Sequence, residues 1–123
     1  MAKKILIVED DEFLRSLLAE KLRGSQYEVA EAETGERAME IISDFDPDLI
    51  LLDLLLPGIH GFEVLEWVKG QPEPLSATPV IILSNLGNRD DINKGFELGA
   101  KDYLVKAKFT INEIGEKINS AVS

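Results

Sequence analysis

The chain contains no cysteine and one histidine among its 123 residues. Without thiols there is no disulfide framework, no thiolate zinc site and no cysteine nucleophile, and one imidazole does not build a transition-metal cluster. The absence of cysteine is compatible with a reducing cytosol, and a cytoplasmic location is expected. Long apolar runs are also missing. The longest, Leu49 to Leu56, is interrupted by Asp53 and is too short to span a membrane. At the N-terminus Met1-Ala2-Lys3-Lys4 leads into only four apolar residues, Ile5 to Val8, before Glu9-Asp10-Asp11, so no signal peptide fits. Basic residues are scarce: 13 Lys and Arg against 23 Asp and Glu leave a net charge of −10. Such a surface repels phosphate backbones and anionic lipid, so neither direct nucleic-acid binding nor membrane association is expected.

The remaining composition is that of an ordinary globular protein, with 45% hydrophobic and 29% charged residues in 13.6 kDa. One domain over residues 1–123, with a core of its own, is the expectation. Neither internal repeats nor a linker breaks the chain.

Short apolar runs alternate with segments whose apolar residues recur at helical spacing, the pattern of βαβ units around a parallel sheet. Five strands are predicted: Lys4–Val8, Glu28–Ala32, Asp48–Leu52, Val80–Leu83 and Asp102–Val105. The first, third and fourth are almost wholly apolar, as central parallel strands covered on both faces must be, and the second and fifth suit edges. Helical stripes follow at Leu14, Leu17, Leu18 and Leu22, at Ala38, Ile41, Ile42 and Phe45, at Gly61, Val64, Leu65 and Val68, and at Ile111, Ile114, Ile118 and Val122. The last helix opens on Thr110-Ile111-Asn112-Glu113, a capping box. The fourth, Arg89 to Leu98, has a stripe of Ile92 and Phe96 interrupted by Gly95, which costs about 1 kcal/mol of helix propensity and marks the segment as weak. Gly70 to Pro79 is too proline-rich for helix or central strand and reads as a loop. The class is α/β, doubly wound, with helices layered on both faces of a five-stranded parallel sheet.

In such sheets ligands bind beyond the carboxyl ends of the strands. After the first strand come Glu9, Asp10 and Asp11; after the third, Asp53; after the fourth, Ser84 and Asn85; after the fifth, Lys106. An ionised carboxylate among leucines is costly unless compensated, which singles out Asp53 as nucleophile or metal ligand rather than a solvated strand end. Asp11 reads as a helix cap. If the first and third strands are neighbours, Glu9 and Asp10 crowd Asp53, and a divalent cation would relieve the repulsion. Carboxylates without imidazole or thiolate select Mg²⁺, with Mn²⁺ a possible substitute. Ser84 and Lys106 offer a hydroxyl and a cation to phosphoryl oxygens.

Four motifs occur in order: Ile5-Leu6-Ile7-Val8-Glu9-Asp10-Asp11, Leu51-Leu52-Asp53-Leu54-Leu55-Leu56-Pro57-Gly58, Ile82-Leu83-Ser84, and Gly99-Ala100-Lys101-Asp102-Tyr103-Leu104-Val105-Lys106. With gaps of 43, 31 and 22 residues between Asp10, Asp53, Ser84 and Lys106, the chain resembles bacterial response-regulator receiver domains, the CheY-like family, over essentially its whole length. The resemblance implies a flavodoxin-like (βα)5 fold with strand order 2-1-3-4-5. It implies that Asp53 accepts a phosphoryl group from a histidine kinase or phosphotransfer protein. Asp10, Asp53 and the Leu55 carbonyl would hold Mg²⁺, with Glu9 acting through water. Ser84 and Lys106 would bind the phosphoryl group, and Tyr103 would be an aromatic switch that follows Ser84. No enzyme activity is implied beyond the domain's own phosphorylation and dephosphorylation. With no output domain after the fifth helix, a stand-alone receiver that acts on a downstream protein target is expected.

Several positions depart from the family pattern. Ala107 stands where a proline usually follows the lysine, which leaves open the cis bond usual there, since a non-proline cis bond costs about 3 kcal/mol. Asn85 follows the switch hydroxyl where a small residue is usual. Leu55 and Leu86 lie two positions beyond Asp53 and Ser84, where their side chains could screen an acyl phosphate from water. His60 replaces a frequent Asp and reads as a solvated loop histidine; Trp67 reads as partial packing. Two alternatives compete: a phosphatase of the haloacid-dehalogenase type, which resembles this chain in its aspartate after a strand but needs a second Asp where Leu55 stands, and a docking module of the same fold that never cycles phosphate.

Overall fold

Period-two alternation within the strands decides which side chains meet which helices in the computed structural model, which describes residues 2–123. The order of elements is β1 (Lys4–Val8), α1 (Glu12–Gly24), β2 (Glu28–Ala32), α2 (Gly35–Phe45), β3 (Leu49–Leu52), α3 (Gly61–Lys69), β4 (Val80–Ser84), α4 (Arg89–Glu97), β5 (Asp102–Val105) and α5 (Ile111–Val122). All neighbouring strands are parallel and the order is β2-β1-β3-β4-β5, so the two strands read as edges are edges. Leu6, Val8, Ile50, Leu52 and Ile82 point to one face, where Ala38, Ile42, Val64, Leu65 and Val68 cover them. Ile5, Ile7, Leu49, Leu51, Ile81 and Leu83 point to the other, under Leu18 and Leu22 of α1 and Ile114 and Ile118 of α5.

The caps follow the sequence closely. Asp11 Oδ1 accepts the Leu14 amide at 3.1 Å, Thr34 Oγ1 accepts that of Arg37 at 3.0 Å, and Thr110 and Glu113 form the reciprocal box at the start of α5. Three expectations are corrected. Leu17 and Phe96 are exposed rather than part of the buried stripes, because Ala19 and Gly95 take the inward positions of α1 and α4. Gly95 does not interrupt the inward face of α4 but forms it: a β-carbon there would lie 2.8 Å from Ile82 Cδ1 and 3.0 Å from Tyr103 Cδ2. A larger residue there would oblige the Ile82 and Tyr103 side chains to shift. His60 is not a free loop residue but the N-cap of α3, its Nδ1 accepting the Phe62 amide at 3.1 Å while Glu63 accepts the His60 amide.

The Gly70–Pro79 segment is a loop with one 3₁₀ turn, Leu75–Ala77. Trp67 packs partly buried against the core, as read. Among the described residues the one cis bond is Glu73–Pro74, so the peptide after Lys106 is trans, and Lys106–Lys108 form a 3₁₀ turn.

Candidate functional site

The register that aligns Val8 with Leu52 and Leu52 with Ile82 brings the ends of β1, β3 and β4 to one rim. Asp53 follows β3 directly, and its amide still donates to the Val8 carbonyl at 2.9 Å, which carries the ladder one residue past the strand. Its carboxylate is 95% buried yet well compensated. Oδ1 accepts the amides of Leu54 (2.7 Å) and Leu55 (3.4 Å), and Oδ2 accepts Lys106 Nζ at 2.9 Å. Turn geometry on one side and the lysine just after β5 on the other thus satisfy a charge the surrounding leucines cannot.

Glu9 is even more buried. Its amide donates to the Ala32 carbonyl, and its Oε2 accepts the Asp11 amide at 3.1 Å. Oε1 lies 2.6 Å from Lys106 Nζ, but the contact is electrostatic, and among the described residues this oxygen has no directed hydrogen-bond partner. Burial pushes the Glu9 carboxyl up to about 7; the Lys106 contact and the Asp11 amide oppose this, and the Asp53 charge adds to it. Burial pulls the Lys106 ammonium down, but the two carboxylates outweigh it and hold the group above its usual range. One cation therefore serves two buried acids, and the pocket is short of positive charge.

Glu9, Asp10 and Asp53 each offer a carboxylate oxygen, and these oxygens lie within 4.8 Å of one another. Three hard donors, one of them a buried oxygen whose lone partner among the described residues is an ammonium shared with Asp53, suit a small divalent cation such as Mg²⁺. Asp10 is exposed and can turn toward such an ion. Leu55 presents an exposed side chain, and its amide is spent on Asp53. The Leu54 carbonyl is taken by the amides of Leu56 and Gly61, whereas the Leu55 carbonyl accepts no backbone hydrogen bond among the described residues.

Ser84 ends β4 fully buried, its Oγ accepting the Leu86 amide at 3.2 Å. Tyr103, on β5 opposite Ile82, is buried and donates its hydroxyl to the Leu86 carbonyl. The two candidate switch residues thus grip the amide and the carbonyl of one residue. Leu86 itself packs against the core, so it does not stand free as a screen beside Asp53; of the two leucines read that way, Leu55 alone is exposed.

Residues 5–119 match the family model of the response regulator receiver domain. The chain belongs to that family. Receiver domains are the phosphoacceptor modules of two-component response regulators, which retires the dehalogenase-type alternative. The chain is similar to the phosphate regulon transcriptional regulatory protein PhoB of Pseudomonas aeruginosa, 41% identical over 106 residues, 86% of this chain and 46% of that protein. It therefore spans about half the length of the curated relatives it matches. In three dimensions the receiver is similar to a response regulator structure from Chloroflexus aurantiacus, with a TM-score of 0.90 and 34% identity, covering 99% of this chain and 98% of that one. It is also similar to the BeF3-activated receiver domain of Klebsiella pneumoniae RstA, with a TM-score of 0.87, 30% identity and 98% of both chains covered. Among the described residues no helix of the receiver is long and apolar enough to cross a membrane.

Sequence reasoning missed three participants: Arg15, which binds the Glu9 carbonyl; Gly61, which abuts the Asp53 backbone; and the peptide groups of Leu86. None stands out by residue type or spacing, since each acts through backbone groups whose placement the packing of the adjoining elements decides.

Proposed function

We propose that Asp53 is the residue of this receiver that takes the phosphoryl group, from a phosphohistidine on a histidine kinase or phosphotransfer protein in the same cytoplasm. The observation that carries this reading is the convergence of Lys106 and the acids Glu9 and Asp10 on Asp53, a buried carboxylate at the carboxyl end of a central strand. In the transfer the P–N bond of the donor breaks with its electron pair staying on the imidazole, and a P–O bond to the Asp53 carboxylate forms. Lys106 stabilises charge on the transferring oxygens, and the amides of Leu54 and Leu55 hold the carboxylate in place. Asp10, Asp53 and the Leu55 carbonyl would hold Mg²⁺ directly and Glu9 through water; when bound, the ion neutralises charge between carboxylates and phosphoryl oxygens.

Ser84 then binds the phosphoryl group, gives up the Leu86 amide and shifts the carbonyl to which Tyr103 is bound. The surface of α4, β5 and α5 changes with it and regulates a protein target. The net charge of −10 supports a protein rather than nucleic acid as the direct contact of this domain. The domain catalyses its own phosphorylation and dephosphorylation and no other reaction. Incubation with acetyl phosphate and Mg²⁺, followed by intact-mass measurement, tests the reading. Wild type should gain one phosphoryl group and Asp53→Asn none; a gain that persists in Asp53→Asn would overturn it.

A further inference from the structure

Asp10 is the exposed member of the acidic cluster, and among the described residues its side chain makes no hydrogen bond or ion pair. Its placement is therefore a matter of backbone. On one side the Glu9 amide donates to the Ala32 carbonyl at 3.0 Å and the Glu9 carbonyl accepts Arg15 Nη1 at 2.8 Å. On the other, the Asp11 amide donates to Glu9 Oε2 at 3.1 Å. A peptide group is planar, so holding the Glu9 carbonyl also holds the nitrogen and α-carbon of Asp10.

Arg15 can do this because it is itself braced. Its side chain is 13% exposed, and Nε lies 3.4 Å from Glu31 Oε1 on β2. Glu31 pairs in register with Ile7 and is held again by Arg23, whose Nη2 lies 3.3 Å from Glu31 Oε2 and donates to the Val29 carbonyl. The guanidinium thus spans from α1 to β2 across the end of β1, using two N–H directions fixed in one plane. A lysine ammonium keeps the charge but not this fork.

We propose that Arg15, braced by Glu31, is a positioning residue that sets the Glu9–Asp10 peptide so that the Asp10 carboxylate joins those of Glu9 and Asp53 around the cation. The inference rests on the cation-assisted phosphoacceptor reading above.

The sign of one measurement separates positioning from simple electrostatics. Arg15 is a positive charge beside an acidic pocket, so by Coulomb's law alone its removal should tighten Mg²⁺ binding. Positioning requires the reverse. Mg²⁺ affinity is measured by titration calorimetry on protein shown by thermal melting in chelator to be folded at the working temperature. Arg15→Ala and Arg15→Lys should each weaken binding about tenfold, the usual effect of losing a partner that orients a metal ligand. Glu31→Ala should weaken it by a smaller factor, and Arg15→Lys should add nothing in an Asp10→Ala background.

Arg15→Ala or Arg15→Lys binding as tightly as wild type, or tighter, while Asp10→Ala binds weakly, would overturn the role of Arg15 and leave the cation site standing. A full further loss from Arg15→Lys in the Asp10→Ala background would also overturn it, since Arg15 would then act elsewhere. Wild type failing to bind Mg²⁺, or Asp10→Ala binding like wild type, would overturn the cation site itself and this inference with it.

Discussion

Gly61 stands directly against the backbone of Asp53: a β-carbon at Gly61 would overlap the Asp53 carbonyl oxygen and lie 2.6 Å from Leu54 Cα. The Gly61 amide donates to the Leu54 carbonyl at 2.8 Å, so the first turn of α3 is fastened to the two residues that carry the proposed phosphoacceptor carboxylate and its nearest amide donor. Backbone cannot yield as a side-chain tip can. Gly61→Ala should therefore destabilise by about 2–3 kcal/mol and slow phosphorylation by acetyl phosphate. Gly24→Ala is the control, because a β-carbon there meets nothing within 4 Å and alanine favours helix by about 0.5–1 kcal/mol. Urea unfolding of both variants checks the contrast; equal stabilities would show that the approach of α3 is not tight.

Glu9 makes stability depend on pH with a definite sign. The folded carboxyl is pushed up to about 7 from an ordinary value of 4.5, chiefly by burial. The folded state thus binds the proton more tightly than the unfolded one, and the stability this contributes is full below the unfolded value and lost as pH rises through about 7. In chelator, the melting temperature of wild type should fall relative to that of Glu9→Gln between about pH 5 and pH 7.5. A difference that stays flat or runs the other way would refute the assignment to Glu9. Added Mg²⁺ should narrow the difference at the upper end, where the carboxylate is free to bind it.

Tyr103 and Ser84 share Leu86, so a change at one is felt at the other. Tyr103→Phe leaves the Leu86 carbonyl without its donor and should cost about 1 kcal/mol, measurable by denaturation. Phosphorylation should alter hydrogen exchange first between Ser84 and Phe109, and Tyr103→Phe should reduce the change in β5 while leaving that near Leu86. If protection changed only around Leu14 to Leu22, the proposed coupling would be wrong.

Leu55 is 52% exposed two residues beyond Asp53 and offers no hydrogen bond to an attacking water. Hydrolysis of the acyl phosphate needs that water held in line, so the phosphorylated state should be long-lived. Leu55→Asn should shorten its lifetime severalfold at equal Mg²⁺, and Leu86→Glu, whose side chain starts from a packed position, should act less and at some cost in stability. The decay of intact-mass signal decides this; a Leu55→Asn protein that keeps its phosphate as long as wild type would remove Leu55 from the argument.

Much of this receiver is written in local pattern. All-apolar runs announced β1, β3 and β4, because strands covered on both faces have no polar side to show, and helix caps such as Asp11 and Thr110 act within three or four residues of themselves. Asp53 was legible for the same reason: a single charge in a leucine run needs compensation wherever it lies. The sequence could not say which groups supply that compensation. That Lys106 serves both Glu9 and Asp53, that Arg15 reaches Glu31, and that Leu86 is shared by Ser84 and Tyr103 depend on the register of strands far apart in the chain. The angle at which each helix settles on the sheet was equally a tertiary matter. It turned Leu17 and Phe96 outward, although spacing alone put them on the buried stripes, and it pressed Gly61 and Gly95 against the sheet and its loops. Hydrophobic period sets that a face is buried; close packing against particular neighbours sets which residues form it.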